Sequence, residues 1–345
     1  MLRIGIDCRF ARRNAGLGRY TREVVLELIK RNDPIHYVLF VRARNETWIK
    51  NLPVSTYYSL QTTNFPHYSL QEQFAFPKII KQAHIDLLFA PHFNVPLFCP
   101  VPFIVTIHDL ILHRYPNEAG LCKKIAYRLV MRHAILKSKK IIAVSNFTAE
   151  EITSIYGTDL SKKIHVIGEG VQMQPPMQNI REKFDLQKPF FLYVGNAKQH
   201  KNVQMLIDAF QKIGSDAKEL ILVTGGKEAA HLRLVPGVHI LKDVSEADLT
   251  ALYKEASAFV TASLYEGYCL PVAEALSLGC PVIASDIGAI REIANTRALL
   301  IEPTVEAFAT AMITEIARPS PSPNPSPSWL LTAEKISTIL RNAVP

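Results

Sequence analysis

Short apolar runs alternate with longer amphipathic stretches along most of the chain. In the first half, runs with strand character such as RIGID, HYVLFV and FIVTI are separated by stretches with helical spacing such as GRYTREVVLELIKR. When strands and helices alternate in this way, the strands form a mostly parallel sheet and the helices cover both of its faces. The pattern therefore predicts an α/β fold.

The alternation forms two series. The first ends near residue 172 at QMQPPMQN, a proline- and glutamine-rich piece suited to a linker, and the second begins at FFLYVG. We predict two doubly wound, Rossmann-like domains that face each other across a cleft. The first covers residues 1–171, a linker covers 172–188, and the second domain covers 189–317. Loops beyond the carboxyl ends of the strands face such a cleft, so functional residues are expected in them.

The C-terminal segment, residues 318–345, has a different composition. RPSPSPNPSPS is a low-complexity Pro/Ser sequence that can neither build a core nor form a helix. WLLTAEKISTILRNA after it predicts one short amphipathic helix. We expect the Pro/Ser stretch to link this helix to the body of the protein.

Hydrophobic residues make up 48% of the chain and charged residues 20%, as in soluble globular proteins. The longest apolar runs are too short to cross a bilayer, and the N-terminus MLRIGIDCRF lacks the features of a secretion signal, which predicts a cytoplasmic protein. The five cysteines are scattered without metal-type pairs and their number is odd. We expect reduced thiols and no metal site.

The two halves differ in charge. Residues 1–175 contain 23 Lys and Arg against 13 Asp and Glu, a net charge of +10, whereas the rest has 16 against 18, a net charge of −2. A basic half indicates an anionic partner such as a lipid headgroup surface or a phosphorylated acceptor. Nucleic acid is the least supported partner, because no recognition motif or aromatic platform accompanies the charge.

Residues 123–140, KKIAYRLVMRHAILKSKK, interleave basic and apolar residues at helical spacing. Such a helix can lie on the inner face of the cell membrane, which would make the protein peripheral. It can equally pack on the core and expose a basic outer face. The sequence leaves both readings open.

The stretch LYEGYCLPVAEALSLG follows the strand-like run AFVTAS. Gly267 supplies backbone freedom and Pro271 suits the first turn of a helix, so the backbone N–H groups before the helix form a cradle for an anion or a hydroxyl. Glu274 lies one turn into this helix and can accept hydrogen bonds from vicinal hydroxyls. The alternative is that Glu266 caps the helix and Glu274 is a solvated acid favoured by the helix dipole.

The wider context of this stretch carries a resemblance to a known family. EGYCLPVAEALSLGCPVIASDIGAIREIA, preceded by SEADLTALYKEASAFVTASLY, closely resembles the nucleotide-sugar-binding region of retaining glycosyltransferases of family 4, with their E-x7-E motif. NAGLGRYTREVV, VTIHDLI, VSNFTAEEI, VIGEGV and YVGNAKQHKNV resemble segments of its mannosyltransferase-like branch. The resemblance implies the two-domain GT-B fold and a diphosphate-linked sugar donor.

The resemblance also implies roles in the second domain. Glu274 matches the acid that holds the donor ribose, and Glu266 the acid beside the donor sugar and the reacting centre. Backbone amides of four residues are expected to contact sugar hydroxyls and phosphate: Gly267, Tyr268, Cys269 and Leu270.

In YVGNAKQHKNV, Lys201 matches the lysine that neutralises the departing diphosphate. Many relatives carry Arg one residue after the VG pair, where this chain has Asn196. Either Lys198 supplies the second positive charge, or the site works with the single positive charge of Lys201.

Five residues of the first domain are candidates as well. Gly16 and Gly18 match the glycine loop after the first strand, where the backbone approaches the donor phosphate or the acceptor. His108 matches a histidine that lines the donor sugar pocket. Together with Lys201 and Glu266, it is a candidate catalytic residue. Arg9 could face an anionic acceptor, and Asp109 lies on the acceptor side, where it would orient its loop.

The implied reaction is transfer of a hexose, with GDP-mannose as the expected donor co-substrate and a glycan or lipid-linked saccharide as acceptor. Retention of configuration is implied, and neither a metal nor another cofactor is expected. Two alternatives stay open. One is a nucleotide-sugar epimerase or phosphorylase on the same architecture, and the other is a catalytically silent binding protein that Asn196 would support.

Overall fold

The structure is a computed structural model and describes residues 1–12, 16–116, 120–314 and 328–344. Most of the predicted Pro/Ser linker, up to residue 327, lies outside these residues. The strands are β1 (Leu2–Asp7), β2 (Ile35–Val41), β3 (Tyr58–Thr62), β4 (Leu87–Ala90), β5 (Phe103–Ile107), β6 (Lys140–Ala143), β7 (Ile164–Val166), β8 (Phe190–Val194), β9 (Glu219–Val223), β10 (Val238–Leu241), β11 (Ala258–Thr261), β12 (Val282–Ser285) and β13 (Leu299–Ile301).

The α-helices follow the strands in close alternation, as the apolar pattern predicts. They are α1 (Gly16–Lys30), α2 (Leu70–Gln82), α3 (Ile111–Arg114), α4 (Leu121–Lys137), α5 (Asn146–Tyr156), α6 (Ile180–Lys183), α7 (Val203–Ile213), α8 (Glu246–Glu255), α9 (Leu270–Ser277), α10 (Gly288–Ala294), α11 (Val305–Ile313) and α12 (Trp329–Asn342). The chain divides into two compact units after Gly170.

Unit 1 consists of residues 1–170 and helix α12. Its strands form one parallel sheet in the order β3-β2-β1-β4-β5-β6-β7. From β1 the chain adds strands first on one side, β2 and β3, and then on the other, starting with β4, so the strand order reverses between β1 and β4. Strands β4 and β5 are buried along their whole length, which is why they read as unbroken apolar runs in the sequence.

Unit 2 contains a second parallel sheet in the order β10-β9-β8-β11-β12-β13. Phe190 and Leu192 of β8 belong to one hydrophobic cluster, whereas Phe191 and Tyr193 belong to another. Because successive side chains of a strand point to opposite faces, both faces of the sheet are covered. The prediction of doubly wound parallel sheets is confirmed for both units.

Helix α12 packs against α1 within unit 1. The ring centroids of Trp329 and Tyr20 lie 5.9 Å apart, and the Ser337 hydroxyl donates a hydrogen bond of 2.7 Å to Asp33. A Cβ atom at Gly170 would come within 2.3 Å of the backbone nitrogen of Trp329. This close approach requires a glycine, so the C-terminal helix completes unit 1.

Part of the segment that the sequence predicts as a linker, residues 172–188, packs into unit 2. Helix α6 buries Ile180, and Leu186 joins the same hydrophobic cluster. The backbone nitrogen of Met177 donates to the carbonyl of Ala247 at 3.0 Å. Within the described ranges, no helix is both long enough and apolar enough to cross a membrane.

Candidate active site

In unit 2, β8 lies beside β11, and the order in which the chain adds strands to the sheet reverses between these two. The loops that follow these two strands leave the sheet at the same carboxyl edge. In open α/β sheets, ligands bind at this edge and at this reversal of strand order. Residues 195–202 follow β8, and residues 262–269 follow β11 and lead into α9.

These loops bring Lys201 and Glu266 together, although they are 65 residues apart in sequence. The Lys201 ammonium lies 2.5 Å from Glu266 Oε1. The hydroxyl of Ser263, which is fully buried, donates to the same oxygen at 2.7 Å. The backbone nitrogen of Leu264 donates to the carbonyl of His200 at 2.7 Å, so backbone contacts also join the loops.

Helix α9 begins where the sequence predicts it, with Pro271 in its first turn. Cys269 precedes the helix in a left-handed conformation with φ of 77°, which is costly for a residue with a Cβ atom. Burial raises the pKa of its thiol, and the charge of Glu266 adds to this effect. Gly267, Tyr268 and Leu270 are buried around it. The segment is therefore a rigid entry to the helix.

Glu274 lies on α9 with its side chain buried, and the Tyr253 hydroxyl of α8 donates to its Oε2 at 3.0 Å. The alternative of a solvated first-turn acid is therefore wrong. The contacts of the Glu266 carboxylate are with Lys201 and Ser263, and the N-cap position of α9 is occupied by Cys269, whose side chain makes no capping hydrogen bond. Both carboxylates of the motif are held in place by specific donors.

The loop after β8 starts at Gly195, whose φ of 151° favours glycine. Asn196 accepts a hydrogen bond from Tyr193 Oη on its carbonyl at 2.7 Å, and its side-chain oxygen accepts from the backbone nitrogen of Lys198 at 3.2 Å. Asn196 thus stabilises its own loop. Both Asn196 and Lys198 are exposed.

In unit 1, His108 follows β5 and has two hydrogen-bond partners. Its Nε2 donates to the carbonyl of Pro91 at 2.9 Å, because a carbonyl can only accept, and its Nδ1 lies 3.0 Å from Glu169 Oε1. The carboxylate beside Nδ1 favours a second proton on the ring. Burial by itself lowers the pKa of His108, but the hydrogen bond and charge of Glu169 outweigh it, and the pKa is raised.

The expectation that Arg9 faces an acceptor needs correction. Its side chain is 1% exposed, and its guanidinium makes two hydrogen bonds of 2.7 Å to Asp7 and an ion pair of 2.6 Å with Glu72. The guanidinium carbon lies 4.1 Å from the ring centroid of Phe76. Arg9 thus lies inside unit 1 with two carboxylates as ion-pair partners and does not face solvent, where an acceptor would bind.

The other predicted residues of unit 1 have local roles in the structure. Asp109 accepts from the backbone nitrogen of Ile111 at 3.0 Å, which orients its loop as expected. Gly16 is the exposed first residue of α1 and Gly18 is buried in its first turn, so both lie in the helix and not in the preceding loop. Within the described ranges, no group of His, Cys, Asp and Glu side chains is placed to hold a metal ion.

Three residues that the sequence reasoning did not single out complete these contacts. Glu169 lies in the segment VIGEGV, Ser263 in the strand exit TAS, and Tyr253 in the helix ALYKEA. The resemblance covers all three segments. Ser263 meets Glu266, three residues further along the chain, whereas Glu169 meets His108 and Tyr253 meets Glu274 across longer separations that only the packing of the elements closes.

Comparison with protein families matches both parts of the chain. Residues 15–174 match the model described as Glycosyltransferase Family 4, and residues 177–322 match the model described as Glycosyl transferases group 1. The two matches meet close to the boundary between the units, so each unit corresponds to one domain type.

Two relatives carry the name O-antigen chain mannosyltransferase. RfbU of Salmonella typhimurium is 31% identical over 236 residues, which are 66% of this chain and 64% of the relative. The B protein of Escherichia coli is 26% identical over 232 residues, which are 62% of this chain and 61% of the relative. The matched region thus spans less than two thirds of each relative.

The chain is also similar to a solved structure, that of Anabaena HepE in complex with UDP-glucose. The TM-score is 0.70 at 16% identity, and the superposition covers 99% of this chain and 100% of that chain. At this identity the similarity shows the fold alone. The predicted GT-B fold is confirmed.

Proposed function

Because the chain belongs to the glycosyltransferases that combine a family 4 domain with a group 1 domain, we propose that it transfers a hexose from a nucleotide-diphosphate sugar to a saccharide acceptor. The observation that carries the proposal is the contact of Lys201 with Glu266 beside the start of α9, at the strand-order reversal of unit 2. The paired residues and the helix start supply the charges that such a reaction needs.

Loss of a nucleoside diphosphate from an anomeric carbon leaves negative charge on the departing phosphates and positive charge on the sugar. The Lys201 ammonium and the positive end of the α9 dipole are suited to the phosphates. Glu266 is suited to the cationic sugar. Because Lys201 pairs with Glu266, a donor diphosphate that binds at Lys201 has to compete with this carboxylate.

Ser263 limits how far the Glu266 carboxylate can move when a donor diphosphate takes Lys201 away from it. Its hydroxyl holds the same Oε1 that Lys201 contacts. If Lys201 turns to a phosphate, Glu266 keeps one donor and therefore keeps its position.

We propose that departure of the diphosphate and attack by the acceptor occur on the same face of the sugar, which gives retention of configuration.

We propose that Glu274 binds the donor ribose. Its carboxylate is oriented by Tyr253 and its position on α9 is one turn beyond the predicted cradle. A carboxylate accepts hydrogen bonds from the two vicinal hydroxyls of a ribose. A buried carboxylate that is already held by one neutral donor loses little further freedom on binding.

The donor we propose is GDP-mannose. The names of the two relatives support mannose as the sugar, and the HepE complex supports a nucleotide sugar as the ligand of this fold. The acceptor we propose is a glycan or a lipid-linked saccharide, on the basis of the O-antigen relatives. Metal-independent transfer is part of the proposal.

His108 has a defined part in this scheme. We propose that His108 is an imidazolium that donates from both nitrogens, presents a fixed positive charge and holds the loop after β4 through the Pro91 carbonyl. In this form it does not act as a base. The ordered contacts of Lys201, Glu266 and His108 favour a working enzyme over a silent binding protein.

The test is binding and slow hydrolysis of GDP-mannose, UDP-glucose and UDP-N-acetylglucosamine by the full chain, with and without a chelator. Lys201→Ala should abolish turnover of the selected donor, and Lys198→Ala, at an exposed lysine of the same loop, is the matched control. If no donor binds, or if Lys201→Ala turns over as fast as the unaltered chain, the proposal is wrong. A loss of turnover with chelator would overturn its metal-independent part.

A further inference from the structure

Unit 1 has its own reversal of strand order, between β1 and β4. Open α/β sheets bind ligands at the carboxyl edge beside such a reversal. Four segments leave the sheet at this edge: residues 8–12 follow β1, 63–69 follow β3, 91–102 follow β4 and 108–110 follow β5. Unit 1 therefore offers a second edge at which a ligand can bind.

Aromatic side chains from three of these segments form one cluster. Phe10 is buried, and the His67 ring stacks on it with centroids 3.9 Å apart. The His92 ring lies 4.8 Å from that of Phe10. The ring of Tyr68 lies 6.2 to 6.4 Å from those of Phe10, His92 and Phe93. We call these five residues the Tyr68 cluster.

The Tyr68 cluster lies beside His108. The rings of His92 and His108 are 6.5 Å apart, with an angle of 27° between their planes. The carbonyl that His108 Nε2 contacts belongs to Pro91, the residue before His92. The backbone nitrogen of Asn94 donates to His92 Nδ1 at 3.3 Å, which orients the ring. A ligand on the cluster is therefore close to a candidate catalytic residue.

Tyr68 is exposed and has a costly backbone conformation. Its exposed fraction is 49%, and its φ of 59° is left-handed, which is uncommon for a bulky side chain. Its backbone nitrogen donates to Glu72 Oε2 at 2.7 Å, and Glu72 pairs with the buried Arg9. The buried ion pairs thus hold Tyr68 in this conformation. Residues held in this way cluster at ligand sites.

The charges behind the Tyr68 cluster indicate which ligand fits it. Two carboxylates, Asp7 and Glu72, face the single guanidinium of Arg9, so this network has no excess of positive charge. It offers no net attraction to a phosphate group. The exposed Tyr68 ring instead offers a rigid apolar face. A sugar ring without charged groups has a face of C–H groups that packs against such a surface.

We infer that the Tyr68 cluster binds an uncharged sugar ring of the acceptor, which packs against the side chain of Tyr68. The inference rests on the proposed transfer reaction, because that reaction makes the ligand of unit 1 an acceptor. Arg9 then has a part in acceptor binding that differs from the sequence expectation. It contacts no acceptor anion and supports Tyr68 from the interior through Glu72.

The test is binding of methyl α-mannoside, methyl α-galactoside and methyl N-acetyl-β-glucosaminide to the full chain, with and without GDP, by ligand-observed NMR titration. Mannose 6-phosphate is the anionic probe. Tyr68→Ala removes the ring, and Tyr68→Phe keeps it. Phe74→Ala changes an exposed aromatic residue of α2 outside the cluster and is the matched control. Unchanged near-ultraviolet circular dichroism shows that the variants are folded.

At least one glycoside should bind equally to the unaltered chain, Tyr68→Phe and Phe74→Ala. Binding to Tyr68→Ala should be about two- to tenfold weaker. Equal binding by Tyr68→Ala, no binding of any glycoside, or tighter binding of mannose 6-phosphate than of the mannoside would overturn the inference. So would weaker binding of GDP to Tyr68→Ala, which would make the cluster part of the nucleotide site. Glycoside binding by a chain that binds no nucleotide would instead contradict the proposed function.

Discussion

Arg9 gives the most direct test of the physical reasoning about unit 1. Its guanidinium is buried between Asp7 and Glu72 and stacks on Phe76. Arg9→Met keeps most of the side-chain stem but removes the positive charge, which leaves two buried carboxylates close to each other. Breaking a buried ion pair by removing one partner costs about 3–5 kcal/mol. We expect a loss of this size in the free energy of unfolding of unit 1.

The loss should depend on pH. Burial raises the pKa of the Glu72 carboxyl, an effect that Arg9 partly offsets. Without Arg9 the folded-state pKa rises further above the unfolded value. When folding raises the pKa of a carboxyl, the unfolded chain loses the proton at a lower pH than the folded chain does. The free energy of unfolding therefore falls as the pH rises from the unfolded-state pKa to the folded-state pKa. The cost of Arg9→Met should therefore be smaller at mildly acid pH than at neutral pH.

The assay is urea unfolding followed by tryptophan fluorescence. Both tryptophans of the chain, Trp48 and Trp329, are buried in unit 1, so the signal reports on this unit. Arg44→Met changes an exposed arginine and should cost less than about 0.5 kcal/mol. A cost of Arg9→Met below about 1 kcal/mol at neutral pH would refute the account of a buried charge network.

Adding a second change gives an internal check. Glu72→Gln in the Arg9→Met background removes one of the two uncompensated charges and keeps the shape of the side chain. The double variant should be more stable than Arg9→Met alone, because the two residues are in contact and their effects are not additive. A double variant that is less stable than the single one would show that packing, and not charge, determines the cost.

Three further predictions concern other parts of the structure. Glu274→Gln should weaken nucleotide binding about tenfold or more by calorimetry with GDP, since it removes a charged hydrogen-bond acceptor; unchanged affinity would contradict the ribose role. Gly170→Ala should destabilise unit 1 by about 1–3 kcal/mol in urea because its Cβ meets the backbone of the C-terminal helix, whereas Gly16→Ala, at the start of α1 with open space around it, should not destabilise the unit. His108 has a raised pKa, so its contribution to stability is full below about pH 6.5 and is lost as pH rises through its folded pKa. The destabilisation caused by His108→Gln should therefore shrink as the pH rises above about 6.5, and a constant difference would argue against the proposed imidazolium.

Much of the fold can be predicted because its signals are local. The buried strands β4 and β5 are continuous apolar runs, and Pro271 marks the first turn of α9 in the sequence itself. The position of Glu266 and Glu274 on either side of this helix start is fixed by their spacing. These features depend on residues within a few positions of each other.

Contacts between distant residues could not be predicted in the same way. Arg9 reads as an exposed basic residue near a strand end, yet Glu72 and Phe76 of α2 enclose it. The sequence could not show that Glu169 would meet His108, 61 residues before it. Their meeting depends on the order of the strands in the sheet, and single-sequence periodicity contains no information about that order.

The amino-acid sequence by itself determined the α/β class, the two Rossmann-like units and the family, because side-chain periodicity and motif spacing are properties of short segments. The tertiary structure decided which charges are neutralised inside and which carboxylates are held by donors. The physical reason is that burial and pairing depend on what packs against a side chain. For Arg9 and Glu274, that neighbour lies on a different element of the same unit.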